Sequence, residues 1–175
     1  MDRLKIVTDN NGNQIVLIPK IIFSNKQNIN WNEVEMYLEK YIGEFVEIDK
    51  TNDIIYIGNR FPDEYCGSQY TRKTKGARAK AKANAAQGIR EMLAIATEKT
   101  YCENHKDKHL DDARNGWYYY ITRFAIPLYD NEKMTEEYNV YSASLVINYA
   151  SNGKMYLYDV VDIKKEASNP LKTFK

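Results

Sequence analysis

The C-terminal third of the chain contains three runs of strand-forming residues, and their arrangement constrains the fold more than any other feature. The runs cover residues 117–129, 140–149 and 155–163, and Ala150-Ser151-Asn152-Gly153 separates the last two. An Asn-Gly pair between two β-forming runs is a strong signal for a hairpin. Because consecutive strands with short connections usually pair with each other, we predict that these runs form an antiparallel β-meander.

The first 61 residues have a different pattern, which predicts one helix among short strands. Asn30 is the predicted N-cap of this helix, and apolar residues recur after it at helical spacing until Gly43. The predicted strands cover 15–18, 45–48 and 54–57. We therefore predict an α+β chain in two parts, a small N-terminal α/β subdomain over 1–61 and a second domain over 62–175.

The second part contains an alanine-rich segment, residues 71–99, whose composition favours helix. Gly76 and Gly88 lie inside it and are expected to start, kink or split the helix.

Within this alanine-rich segment, the stretch from Arg72 to Lys82 contains six basic residues and no acidic one. They are Arg72, Lys73, Lys75, Arg78, Lys80 and Lys82. Cations repeated along one helix fit a phosphate backbone, so we predict nucleic-acid binding here. The alternative is a solvated helix face with acidic partners elsewhere in the fold.

The composition of the whole chain indicates less about function than these local patterns do. The net charge of the chain is only +1, so any electrostatic attraction must come from where the charges lie. Two cysteines are too few for a disulfide scaffold and are typical of a reducing compartment. The chain has no apolar run of membrane-spanning length and no apolar signal peptide. We expect a protein of the cytoplasm that does not bind membranes.

The two histidines, His105 and His109, are four residues apart in a charged stretch from Glu98 to Asn115, which we interpret as a connection and which also contains Cys102. This is the spacing of paired metal ligands on a helix, but the stretch has no HExxH pattern and no evident fourth ligand. We therefore predict no metal and no other cofactor. A histidine is also the usual general base or acid for attack by a ribose 2′-hydroxyl, which needs a cationic partner but no metal. Two exposed histidines in a hydrophilic connection are the alternative.

Polar and aromatic residues alternate with apolar ones along the predicted meander. A sheet face that carries Arg123, Ser144 and Tyr158, with a histidine at its edge, would suit a nuclease, although it would equally suit a structural sheet. The sequence has no phosphate-binding glycine loop and no G-x-S-x-G elbow. These absences argue against kinases, serine hydrolases and nucleotide-dependent dehydrogenases.

Three segments in order, KGARAKAKANAAQGIREMLAIAT, KHLDDARNGWYYYITRFAIPLYD and NGKMYLYDVVDIKKEASNPL, resemble a known family. They resemble the phage nuclease domains grouped with barnase, EndoU, colicin and RelE toxins, which are also described as large polyvalent-protein-associated domains. The resemblance covers roughly residues 62–170. It implies helices followed by a curved antiparallel sheet, as in RelE and barnase, and metal-independent cleavage of RNA.

Carried onto this chain, the resemblance implies a specific set of catalytic residues. His109 would be the general base or acid, Arg123 and Lys164 the cations that stabilise the phosphorane, and Tyr158 the residue that orients or stacks the substrate. We therefore expect an RNA endonuclease domain of phage or prophage origin. The alternative is a non-catalytic module that binds RNA or a protein during infection, for example an inhibitor of a host defence nucleoprotein. An immunity protein is a further expected partner of a toxin-like nuclease.

Overall fold

The computed structural model describes residues 3–24, 28–103, 115–128, 137–166 and 170–172. These residues form an α+β fold in which helices pack on a mixed sheet, and the sheet curls into a half-barrel. The helices are α1 (Trp31–Leu38), α2 (Phe61–Gly67), α3 (Gln69–Lys73), α4 (Gly76–Ala85) and α5 (Ile89–Ala94). The strands are β1 (Ile6–Thr8), β2 (Gln14–Leu17), β3 (Phe45–Glu47), β4 (Ile54–Tyr56), β5 (Thr97–Cys102), β6 (Trp117–Pro127), β7 (Glu137–Tyr149), β8 (Met155–Lys165) and β9 (Leu171–Lys172).

The antiparallel meander predicted from the sequence is confirmed as the centre of this sheet. Strand β6 pairs antiparallel with β7 in one continuous register, from Trp117 opposite Asn148 to Pro127 opposite Tyr138. Strand β7 then pairs antiparallel with β8, with two breaks in register where bulges interrupt the ladder. These long strands supply the surface on which the helices pack.

Strands from the N-terminal part extend the same sheet on both sides. The order is β1-β2-β6-β7-β8-β4-β3, with β2 parallel to β6 and β4 parallel to β8. One hydrophobic core contains Val16, Leu38 and Ile55 together with Phe124 and Leu145. The predicted boundary at residue 61 therefore does not separate two hydrophobic cores, because both parts of the chain contribute to one sheet and to its largest hydrophobic cluster.

The alanine-rich segment splits at the two glycines that the sequence marks. Gly76 begins α4 with a φ of +63°, a conformation that glycine adopts without steric cost. Gly88 ends a short 3-10 turn, and a Cβ there would lie 3.1 Å from Cδ1 of Ile18 and 3.2 Å from Cγ1 of Val16. The helical segment can approach β2 closely because this position has no side chain.

Strand β5 was not expected, because residues 98–115 were interpreted as a charged connection. It pairs antiparallel with β6, from Thr97 opposite Ile121 to Cys102 opposite Trp117. Most of its side chains are exposed, so it lacks the alternation of apolar and polar residues that predicts a strand.

Among the described residues no helix is both long and apolar enough to cross a membrane.

Candidate nucleic-acid interface

The basic residues of α3 and α4 lie mostly on the surface. The hydroxyl of Ser68 caps α3 by accepting a hydrogen bond from Thr71 N at 3.2 Å, which fixes where this short helix starts. The cations that follow on α3, on α4 and in the connection between them, which we call the basic surface, are Arg72, Lys73, Lys75, Arg78 and Lys80. Four of them are exposed and Lys80 is half-buried. Within the described ranges, none of the five forms an ion pair with a carboxylate.

Two further exposed lysines, Lys164 and Lys165, lie at the end of β8. The backbone N–H of Ile163 donates a hydrogen bond of 2.8 Å to the hydroxyl of Tyr70 in α3. This bond holds α3 beside the end of β8. Ile163 is buried in the core beneath the helices, and Lys164, the next residue of β8, points to the opposite face of the sheet. The predicted catalytic cation Lys164 therefore does not share a face with the predicted binding cations.

Lys82, which the sequence placed with the binding cations, has a different role. Its side chain is fully buried, and its ammonium lies 2.7 Å from Oδ1 of Asp159 and 2.6 Å from Oγ1 of Thr71. It also lies 4.6 Å from the ring centre of Tyr65. Burial lowers the pKa of Lys82 and raises the pKa of Asp159, while their mutual attraction opposes both shifts. Lys82 joins α4 to β8 and is inaccessible to a phosphate.

Arg123 is also engaged within the protein. Its Nε and one terminal nitrogen donate to the carboxylate of Glu166 at 2.7 and 2.8 Å, and the other terminal nitrogen donates to Asp9 at 2.8 Å. The hydrogen bonds to Glu166 are the largest cause of its raised pKa, and those to Asp9 add to the shift. Arg123, Ser142 and Lys164 are neighbours across β6, β7 and β8. The structure thus brings the two predicted cations together, but the guanidinium of Arg123 is occupied by two carboxylates.

Tyr158 lies at the opposite end of the sheet from Arg123. Its ring meets that of Trp117 edge to face, with 5.0 Å between ring centres. Trp117 precedes Arg123 by six positions on β6, which corresponds to about 20 Å along a strand. The predicted catalytic residues Tyr158 and Arg123 therefore do not meet at one phosphate. His109 and His105 lie outside the described residues.

A cavity that the sequence did not predict lies beside Tyr158, where α2 meets β7 and β8. Its volume is about 290 Å³, and Phe61, Glu64, Asn148, Tyr156 and Tyr158 are among the residues that line it. We call it the Asn148 cavity. Oδ1 of Asn148 is buried and has no hydrogen-bond partner among the described residues. An unsatisfied buried acceptor costs about 1–3 kcal/mol, so this oxygen is a ready partner for a donor.

No sequence signal would have identified Asn148 as special. The alternation along 140–149 places it on the polar side of its strand, together with Ser142 and Ser144. Its environment depends on Trp117 and Tyr156, its register partners on the neighbouring strands. The register of three strands and the approach of α2 decide this environment, and neither is a local property of the sequence.

The described residues contain no group of three histidine, cysteine, aspartate or glutamate side chains that could hold a metal. Cys66 is buried, which raises the pKa of its thiol to about 12, and Cys102 is an exposed free thiol. A thiol with such a pKa is almost fully protonated at neutral pH and is a weak nucleophile. Cys66 is part of the hydrophobic core.

Comparisons of the chain with protein-family models, with curated proteins and with solved structures found no match. The resemblance to the phage nuclease domains stays a prediction from the residues. The function must therefore be argued from the positions and charges of the side chains.

Proposed function

We propose that this chain is an RNA-binding module that holds the phosphate backbone on its basic surface. The observation that carries the proposal is that five cations on two consecutive helices and their connection, four of them exposed and one half-buried, form no ion pair inside the described part of the protein. Unpaired surface cations release counterions from a nucleic acid when they bind it, and this release drives association.

The shape of α4 also supports contact with a nucleic acid. Small side chains alternate with its cations, and Ala77 between Gly76 and Arg78 is exposed. A helix surface with small residues lets a phosphate backbone approach while the longer arginine and lysine side chains reach around it. The resemblance to RNA-cleaving phage domains favours RNA over DNA as the nucleic acid.

RNA cleavage by the four predicted catalytic residues is less well supported than RNA binding. Arg123 donates to Glu166 and Asp9, so binding a phosphate would require it to give up charged hydrogen bonds. Tyr158 lies about 20 Å from it along the sheet. General acid–base catalysis requires the reacting groups within hydrogen-bond reach of one phosphate. We therefore propose binding as the function and treat cleavage as an outcome of the test.

The test measures the affinity for a labelled single-stranded RNA pool in EDTA at about 50 and about 200 mM salt. The double variant Lys73→Gln/Arg78→Gln is expected to bind more weakly and to lower the slope of log K against log salt. The decrease should be about 1.4, or about 0.7 for each lost phosphate contact. The control Lys5→Gln/Lys20→Gln removes two exposed lysines near β1 and β2 and should bind as the wild type does.

Three outcomes of this experiment are informative. An equal loss in both double variants would contradict a specific basic surface and indicate a diffuse attraction to positive charge. Absence of salt-dependent binding in the wild type would overturn the proposal. Cleavage of the pool that disappears in His109→Ala would show that the chain is a ribonuclease.

A further inference from the structure

We infer that the Asn148 cavity holds one base of the bound RNA strand and prefers a base with an exocyclic amino group, an inference that rests on RNA binding. The cavity is next to the basic surface along the chain, because α2 begins at its wall with Phe61 and leads through Ser68 to α3. The seven residues of α2 correspond to about 10 Å of helix. A strand held at α3 could therefore place a neighbouring nucleotide at the cavity.

Aromatic side chains give the cavity the surface that a base requires. Tyr156 and Tyr158 line it and are half-buried. The ring of Tyr158 is held by Trp117, and the hydroxyl of Tyr156 accepts a hydrogen bond of 3.0 Å from Nδ2 of Asn152. Rings fixed in this way offer a stacking surface at little cost in side-chain entropy. A volume of about 290 Å³ lies at the lower end for small-molecule sites and suits one base.

The polar groups of the cavity select the kind of base. Oδ1 of Asn148 lacks a partner, the carboxylate of Glu64 is a second acceptor, and the guanidinium of Arg60 is a donor in the same lining. The terminal torsion of an asparagine is soft, so a small rotation of Asn148 can turn its covered oxygen toward a donor in the cavity. An amino group supplies two N–H donors to such acceptors. The pairing edge of adenine places its amino group beside the ring acceptor N1, to which Arg60 can donate, whereas uracil carries a single N–H between two carbonyls and offers the two acceptors only one donor.

The test compares fluorescein-labelled adenine and uracil octanucleotides, A8 and U8, by anisotropy in EDTA at low salt. The wild type is expected to bind A8 about tenfold more tightly than U8, a typical discrimination for a base read by two hydrogen bonds. Asn148→Ala should remove this preference by weakening A8 while leaving U8 unchanged. Asn139→Ala is the matched control, because Asn139 lies on the same strand, outside the cavity, opposite Ile126. It should keep the preference.

A second measurement separates failure of this inference from failure of RNA binding. Adenosine and uridine are added separately to the protein, and the side-chain amide resonance of Asn148 is followed by NMR. Adenosine should shift this resonance, and uridine should not. Equal binding of A8 and U8, a preference that survives in Asn148→Ala, or an unmoved amide would overturn the inference while RNA binding stands. If neither octanucleotide binds, the proposed function fails, and the adenosine titration still decides whether the cavity accepts a base.

Discussion

Lys82 is a charged side chain in the centre of the protein, and three kinds of contact compensate its burial. Asp159 supplies the opposite charge at 2.7 Å, Thr71 accepts a hydrogen bond at 2.6 Å, and the ring of Tyr65 lies beneath the ammonium. A buried cation of this kind is stable only while its partners are in place. The pair therefore fixes how α4 and β8 meet, and it makes the packing sensitive to either residue.

Removing one member of this pair should destabilise the protein strongly. Lys82→Met leaves Asp159 buried without a cation and should lower the free energy of unfolding by about 3–5 kcal/mol. The double variant Lys82→Met/Asp159→Leu should regain most of this loss, because no unpaired charge remains in the core. Urea unfolding of the wild type and both variants measures these differences. A single variant as stable as the wild type would show that the pair does not hold α4 against β8.

At the scale of elements, the curl of the sheet brings the connection between β3 and β4 across to β5 and β6. Asp53 in this connection accepts a hydrogen bond of 2.7 Å from the hydroxyl of Tyr120 and lies 2.9 Å from Nζ of Lys99. Burial by itself would raise the pKa of Asp53, but the hydrogen bonds from Tyr120 and Lys99 outweigh it, and the pKa is lowered. The carboxylate of Asp53 thus connects the loop between β3 and β4 to both β5 and β6.

The contribution of Asp53 should depend on pH. Its pKa is lower in the folded than in the unfolded state, so its stabilisation is complete above the unfolded pKa, near 3.8, and is lost as pH falls through the folded pKa. Asp53→Asn should therefore cost about 1–2 kcal/mol at neutral pH and progressively less in acid. Denaturant unfolding of both proteins across this pH range measures the difference. A cost that does not change with pH would mean that the charge of Asp53 is unimportant.

At the scale of the whole molecule, the largest hydrophobic cluster joins both parts of the chain, and this shared core predicts cooperative unfolding. The two tryptophans report on the two parts, because Trp31 begins α1 and Trp117 begins β6. The variants Trp31→Phe and Trp117→Phe each leave one fluorescent reporter. After correction for the stability of each variant by circular dichroism, the fluorescence and backbone transitions should coincide in both. A separate transition reported by Trp31 would indicate that residues 1–61 unfold independently.

Much of the secondary structure could be predicted from the sequence because its signals are local. The Asn152-Gly153 hairpin, the three strands of the meander and the split of the alanine-rich segment depend on turn residues and on propensities within a few positions. The α+β class followed from these elements. Strand β5 was not predicted, because its side chains are mostly exposed and show no alternation of apolar and polar residues. Its hydrogen bonds to β6 hold it in the sheet, and this pairing depends on a distant segment of the chain.

The candidate site was predicted only in part, since position along the chain does not reveal burial or partners. The sequence determined that cations cluster from Arg72 onward, and the tertiary structure decided that Lys82 is buried against Asp159, a residue 77 positions away. It likewise decided that Arg123 is neutralised by Asp9 and Glu166, and that Asn148 borders a cavity. Each of these outcomes depends on contacts between distant segments. Sequence patterns set what each segment can form, and packing sets which of its side chains reach the solvent.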